Sequence, residues 1–371
     1  MMYMKNDLFP RRKSRVISVA DVKIGGDNAI SVQSMTNTPT ADVEATSRQI
    51  ARLAAADCDI VRLAVPDTEA AEKLPQILSA SSLPIIADIH FDYRLALSAI
   101  KAGVDGLRIN PGNIGGQYKV KEVAVAAKAA AIPIRIGVNA GSLEKEFLQK
   151  YGLSARAMVE SALRHVAMLE KENFSDIKIS LKASDLSLMI QAYRLLSDQV
   201  DYPFHIGLTE AGTVKKGSIR SACAIAILLS QGLGDTIRVS LTGDPVEEVF
   251  VAQEILGALK LRKNNFEFVS CPTCGRTMID VERIALKVEK ALEHLKPSLP
   301  LKIAVMGCVV NGPGEAKGSD LGIAGSSREG VLFYRGQAIG KYANDDLADA
   351  LINKVKEIIA QQSITNQEED R

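Results

Sequence analysis

Eight short β-rich runs, each followed by a helical stretch, occupy residues 29 to about 255 of the chain. They are AISVQSM, CDIVRLAV, LPIIADIH, VDGLRINPG, IPIRIGVNAG, SDIKISLKAS, FHIGLTEAG and DTIRVSLTG. A strand–helix–strand rhythm demands a parallel sheet, because each crossover helix returns the chain to the same end. Eight such units fit a (β/α)8 barrel. A doubly wound open sheet is the alternative, but no GxGxxG follows the first run, which weakens a dinucleotide site.

The runs carry a second pattern. Successive side chains on a strand face opposite ways. In the sixth run Ile177, Ile179 and Leu181 oppose Lys178, Ser180 and Lys182. In the fifth, Ile134, Ile136 and Val138 oppose Arg135, Gly137 and Asn139. The eighth sets Thr236, Arg238 and Ser240 against Ile237, Val239 and Leu241, and the fourth sets Arg108 and Asn110 against Leu107 and Ile109. The other runs contribute Ser31 and Gln33, Arg62, Asp88 and His90, and His205, Gly207 and Thr209. Helices surround a barrel, so the apolar face points out to them and the polar face points in. Arg62, Arg108, Arg135, Lys178, Lys182 and Arg238 then share an interior with Asp88 as the inward acid. Unpaired buried charge is prohibitively costly. The pattern therefore calls for a small, multiply anionic ligand at the carboxyl ends of the strands.

RINPGNIGG supports this, since Gly112, Gly115 and Gly116 permit a tight turn whose N–H groups face phosphate oxygens. His90, His205, Asp88 and Glu210 ("LTEAG") are candidate proton donors in the pocket. His165 and His294 fall in helical stretches and are expected at the surface.

Composition removes several classes. Net charge is +1, and there is no Trp and only 5% aromatic content. No global field or stacking platform favours nucleic acid. The charged start MMYMKNDLFPRRKSR has no signal-peptide apolar stretch, and no window spans a bilayer. A cytoplasmic protein is expected, without a membrane partner. Five cysteines are too few for a disulfide scaffold. Cys58 and Cys223 read as small buried hydrophobes.

The remaining cysteines lie beyond the barrel pattern, in SCPTCGRT and GCVVNGPGEA. The expected division is a barrel over 1–263 and a small α/β domain over 264–371. That second domain should hold the CxxC, a helix, a strand LKIAVMG, the Cys308 loop, strands near LGIAG and VLFYRG, and a final helix before a frayed tail. CPTCG resembles half of a zinc ribbon, but a ribbon needs a second CxxC and a structural zinc site is closed. Iron–sulfur clusters use the same thiolates. Seven residues past Cys308, Glu315 follows a sharply folding Asn-Gly-Pro-Gly. The reading is a [4Fe-4S] cluster held by Cys271, Cys274 and Cys308, with Glu315 as a weaker, displaceable carboxylate on the fourth iron.

Together with QSMTNT, RINPGNIG and LTEAG, these motifs resemble the 4-hydroxy-3-methylbut-2-enyl diphosphate synthases, in their shorter bacterial form without a middle domain or transit peptide. The likeness runs nearly the length of the chain. It implies an oxidoreductase of isoprenoid synthesis. The substrate would be 2-C-methyl-D-erythritol 2,4-cyclodiphosphate, opened and dehydrated to the linear allylic diphosphate. Two electrons would come from flavodoxin or ferredoxin through the cluster. The resemblance implies Cys271, Cys274, Cys308 and Glu315 as cluster ligands. It implies Arg62, Arg108, Asn110, Arg135, Asn139, Lys182, His205, Arg238 and Ser240 as substrate-binding residues. Asp88, His90 and Glu210 would lie near the reacting carbons, with Glu210 the best acid/base candidate. It also implies a head-to-tail homodimer. Two rivals differ in metal content: a metal-free pterin-binding methyltransferase barrel, and a zinc-stapled ligand-binding protein.

Overall fold

The computed structural model describes residues 9–369 apart from 111–113, 115, 264 and 309–311, and leaves the side chains of 312, 313, 315 and 363–369 undescribed. The chain divides into two compact units, Met1–Arg262 and Lys263–Arg371.

In the first unit a hairpin of β1 (Ile17–Val19) and β2 (Val22–Ile24) precedes eight parallel strands. These are β3 (Ser31–Met35), β4 (Ile60–Ala64), β5 (Ile85–Asp88), β6 (Gly106–Ile109), β7 (Ile134–Asn139), β8 (Ile177–Lys182), β9 (His205–Ile206) and β10 (Thr236–Ile237). Each coincides with one of the eight runs read from the sequence. The order is β8-β7-β6-β5-β4-β3-β10-β9. A parallel bridge from Ile179 in β8 to Phe204, beside β9, joins the two ends of that order and closes the barrel.

The alternation places the core as expected. Ile134, Ile136, Val138, Ile177, Ile179, Leu181 and Ile237 are buried in the layer that the surrounding helices cover. Those helices start on side-chain caps: Asp42, Asp67, Asp92, Ser154, Asp185 and Asp244 each accept a backbone N–H of the first turn.

The interior is not polar throughout. Its lowest layer is apolar: Ile60 and Ile86 pack with Ile17, Val19 and Ile24 of the hairpin. The hairpin thus floors the barrel at the end away from the polar residues. Its weak three-residue strands gave no signal in the sequence. Just before it, Arg11 donates to Asp235 at 2.6 Å with both side chains 5% exposed. Asp235 also accepts from Ser14 Oγ at 3.1 Å and from the Phe204 amide at 2.8 Å. Arg12 lies over the Phe204 ring, 4.0 Å from its centroid.

Two expectations fail on helix geometry. Cys223 is exposed: in the helix Val214–Ser230 the buried stripe is Gly217, Ser221, Ala224, Ile225 and Leu228, and Cys223 falls beside it. His165 is fully buried: the helix Ala155–Glu170 turns it inward with Ala162, Val166 and Leu169, and its Nε2 lies 2.7 Å from Glu144 Oε1. Burial pushes the Glu144 carboxyl up, but His165, Ser161 and a backbone amide outweigh it and hold it at about 2.

The second unit is a five-stranded sheet, β11 (Phe266–Ser270), β12 (Leu301–Met306), β13 (Leu321–Gly325), β14 (Glu329–Tyr334) and β15 (Gln337–Ala343), in that order. The first three are parallel and the last two antiparallel to their neighbours. Helices Val281–Leu292 and Leu347–Glu369 share one apolar cluster with Ile303, Val305, Leu321, Ile323 and Leu332. The last helix continues through Glu369, into the stretch expected to fray. Among the described residues no helix is long and apolar enough to cross a membrane.

Removing Asp235 takes from the buried Arg11 guanidinium its carboxylate at 2.6 Å and from the Phe204 amide its acceptor at 2.8 Å. Asp235→Ala is expected to lower unfolding free energy by about 3 kcal/mol or more, read as a lower urea midpoint at unchanged slope.

Candidate active site

The inward faces of β3 to β10 gather charge at a density unusual for a barrel interior. Arg62, Arg108, Arg135, Lys178 and Lys182 are all buried, and the Arg238 side chain is 16% exposed. They alternate strictly with the apolar layer, so strand pleating alone aims them inward. Cross-strand register stacks them in layers: Arg108 lies opposite Arg135, Arg135 opposite Lys178, and Asn139 opposite Lys182.

Two carboxylates face this group. Asp88, 4% exposed, lies 3.0 Å from Arg108 Nη1 and 3.4 Å from Arg62 Nε. Burial pushes its carboxyl up, but Arg62, His90, Arg108 and Arg135 overcome that and hold it well below the usual carboxylate range. The second acid is Glu248, which the sequence reading did not single out. It reaches in from the helix Pro245–Ala258, accepts from Ser34 Oγ and the Leu241 amide, each at 3.0 Å, and stands 3.7 Å from Arg238 Nη2. Its only sequence signal was an acidic pair, Glu247–Glu248, in the first turn of a helix, which normally marks a solvated helix start.

Among the described residues these two carboxylates, with Asp235 already held by Arg11, do not balance six cations. Among the described residues Arg135 Nε and Nη1, Lys182 Nζ and Arg238 Nε are buried without a hydrogen-bond partner, as are both ring nitrogens of His205 and both amide atoms of Gln33. Burial, reinforced by neighbouring cations, pulls Arg135, Lys182 and His205 well below their ordinary values. Burial pulls Arg62 down to about 10, with Asp88 opposing. Such an interior is costly when empty of anions and favourable when one enters.

Two glycines make the arrangement possible. A Cβ on Gly137 would lie 2.5 Å from Arg108 Nε, so only glycine leaves room for that guanidinium beside Asp88. Gly207 has φ +153°, and a Cβ there would meet the Arg238 carbonyl oxygen at 2.0 Å. Its bare backbone lets β9 approach the strand that carries Arg238.

The remaining candidates lie around the strand ends. Asn110 is buried and its carbonyl accepts the Ile114 amide at 3.3 Å. His205 is fully buried. Asn139 and Ser240 are half-buried at the ends of their runs. His90 is about half exposed, with Nε2 3.1 Å from Arg108 Nη1 and 3.6 Å from Asp88. Glu210 is exposed and has φ +53°, a left-handed backbone rare outside glycine. Such conformations concentrate at functional loops. Of the glycines read as a phosphate cradle, Gly112 and Gly115 lie outside the described residues. Gly116 is the extended N-cap of helix Gln117–Ala129.

In the second unit Cys271 directly follows β11 and Cys308 follows β12, at the same end of two adjacent parallel strands. The Cys271 amide donates to Val305 O at 3.0 Å and the Met278 amide to Gly307 O at 2.8 Å, which ties the CxxC loop to the Cys308 loop. Cys271 is half-buried, Cys274 exposed and Cys308 buried. Thr273, between the first two, has φ +50°. Among the described residues no three potential metal ligands stand close enough together to hold an ion. The Glu315 backbone lies in the short helix Gly312–Lys317, its side chain outside the description. The chemistry of the donor set fits a thiolate-held cluster: three soft sulfurs on loops that follow the adjacent strands β11 and β12 and are joined by backbone hydrogen bonds.

Family models match both units of the chain. Residues 14–253 match the GcpE TIM-barrel domain and residues 267–357 the GcpE protein C-terminal domain. This chain belongs to the GcpE family. Curated relatives include the 4-hydroxy-3-methylbut-2-en-1-yl diphosphate synthase (flavodoxin) of Geobacter sulfurreducens, 57% identical over 95% of this chain and 99% of the relative. The protein of the same name from Clostridium acetobutylicum is 56% identical over 93% and 99%. Among solved structures, the N-acetylneuraminic acid synthetase of Leptospira borgpetersenii is similar with a TM-score of 0.51 at 14% identity, covering 76% of this chain and 99% of that one. That likeness concerns the fold alone. The GcpE barrel thus combines a widespread scaffold with an interior of uncommon charge.

Gly137→Ala tests the packing of that interior. The added methyl displaces Arg108 from Asp88. The expected result is unchanged far-UV circular dichroism with diphosphate binding weakened about tenfold or more, roughly 1.4 kcal/mol.

Proposed function

We propose that the cationic interior of the barrel binds the cyclic diphosphate 2-C-methyl-D-erythritol 2,4-cyclodiphosphate. In that reading Arg62, Arg108, Asn110, Arg135, Asn139, Lys182, His205, Arg238 and Ser240 line the site. The chain is an oxidoreductase of isoprenoid synthesis, a 4-hydroxy-3-methylbut-2-en-1-yl diphosphate synthase. The observation that supports the barrel as the substrate site is its charge imbalance: among the described residues six inward cations face Asp88 and Glu248, Asp235 being held by Arg11, and Arg135, Lys182 and Arg238 retain unpartnered donors.

The residues act through position. Arg135, Lys182 and Arg238 grip the phosphoryl oxygens by charge-assisted hydrogen bonds. Asp88 holds the Arg62 and Arg108 guanidinium groups in fixed orientation, so they need little rearrangement when the ligand arrives. Ring opening and dehydration consume two electrons and two protons and release one water. Glu210 is the proposed proton carrier, since its carboxyl is exposed on a left-handed turn beside the strand ends. It delivers a proton to the departing hydroxyl oxygen. His90, hydrogen-bonded within the Asp88–Arg108 group, orients the hydroxyl-bearing end of the substrate.

Cys271, Cys274 and Cys308 would hold a [4Fe-4S] cluster, with Glu315 as the fourth ligand. Bound there, the cluster supplies electrons one at a time and an iron that acts as a Lewis acid. Flavodoxin is the electron donor, and ferredoxin is a second candidate for the same role. We further propose a cytoplasmic head-to-tail homodimer in which each chain serves the barrel of its partner.

Anaerobic reconstitution with iron and sulfide, followed by turnover of the cyclic diphosphate, tests the assignment. Cys308→Ser should lose the cluster chromophore and all activity. Glu315→Ala should keep most of the chromophore and lose at least 90% of turnover, about 1.4 kcal/mol of barrier. A fully active Glu315→Ala, or wild type that carries zinc and no iron, contradicts it.

A further inference from the structure

Lys178 is the least exposed cation of the barrel interior, on the same inward face of β8 as Lys182 with Ser180 between them. It is 1% exposed. Among the described residues its Nζ meets a neutral hydroxyl, Thr236 Oγ1, at 3.4 Å, and no carboxylate within ion-pair distance. That hydroxyl also accepts from Ser31 Oγ at 2.8 Å.

The charged and titratable groups around it come from three other strands and one loop. Arg135 lies opposite it on β7. Arg62 of β4 is a further cation acting on it, and His205 of β9 is a fully buried imidazole with no hydrogen-bond partner among the described residues. The acid is Asp235, just before β10, which already accepts from Arg11 at 2.6 Å, Ser14 at 3.1 Å and the Phe204 amide at 2.8 Å. An ammonium at this place therefore has like charges above and beside it and a carboxylate already engaged elsewhere.

We propose that Lys178 is a further residue of the anion site, taking a proton from solvent as the diphosphate binds, so that ligand binding and proton uptake are one coupled event. The inference rests on the reading of the barrel as a diphosphate site. The step balances simply: one solvent proton passes to the ε-amine, and no covalent bond of the ligand changes. Burial and the Arg135 charge pull the Lys178 amine down to about 7 in the free protein. An anion lodged among the arginines cancels the repulsion and moves it back up. A group whose pKa rises on binding favours the complex most at low pH. Affinity is then flat below about pH 6 and falls as pH rises through 7 and beyond, until the pKa of the complex is passed.

The cyclic diphosphate suits the test, because each phosphoryl group is bridged on both sides and carries only a strongly acidic oxygen. Isothermal titration of the anaerobic holoprotein at pH 7.5, without reductant, is run in buffers of different ionisation enthalpy. The wild-type enthalpy should vary linearly with buffer enthalpy, with a slope of roughly half a proton or more taken up. Lys178→Met should bind several-fold more weakly and lose at least half of that slope. The wild-type pH profile of Kd is a second measurement that needs no variant, and it should weaken steadily from pH 7 to 8.5. Binding with a buffer-independent enthalpy, a flat pH profile, or an undiminished slope in Lys178→Met overturns the Lys178 assignment alone. Absence of any wild-type binding overturns the diphosphate site and this inference with it.

Discussion

Positive charge has been folded into the middle of a closed sheet. Each buried ion gives up hydration worth several kcal/mol, and a carboxylate partner returns only part of it. Asp88 serves Arg62 and Arg108, Glu248 stands by Arg238, and Asp235 is taken by Arg11 at the other end. Among the described residues Arg135 and Lys182 keep unpartnered donors. Much of the barrel can be understood as support for that cost. The hairpin floor contributes an apolar layer below the charges, and the helix-covered layer contributes the hydrophobic core. Gly137 and Gly207 are fixed because the guanidinium of Arg108 and the backbone of Arg238 occupy the space a side chain would need.

The two units divide the chemistry by the hardness of their atoms. The barrel interior presents guanidinium, ammonium, imidazole and carboxylate groups, which bind oxyanions and move protons. The second unit presents soft thiols at the ends of β11 and β12, where backbone hydrogen bonds join the two loops. A reductive ring opening needs both kinds of group, which makes physical sense of a GcpE chain that carries each in a separate fold.

Much of this was legible in the sequence because period-two alternation survives wherever one strand face is greasy and the other charged. Ile177-Lys178-Ile179-Ser180-Leu181-Lys182 states its own orientation, and the runs of β6, β7 and β10 carried the same signature, while β3, β4, β5 and β9 carried it in part. The features that escaped lacked it. The hairpin strands are three residues long, and β15 is an edge strand exposed along most of its length, so neither shows a clean apolar face. Glu248 and His165 lie on helices, where one polar residue in an otherwise ordinary pattern does not reveal that it turns inward. Glu210 was found by its motif, but its left-handed backbone belongs to the folded chain alone.

The most direct test of a barrel built around an anion is a crystal structure with the cyclic diphosphate bound. The account predicts phosphoryl oxygens about 2.7–2.9 Å from the side-chain nitrogens of Arg135, Lys182 and Arg238, with Asp88 still on Arg62 and Arg108. A diphosphate bound outside the barrel, with those nitrogens still unpartnered, would contradict it.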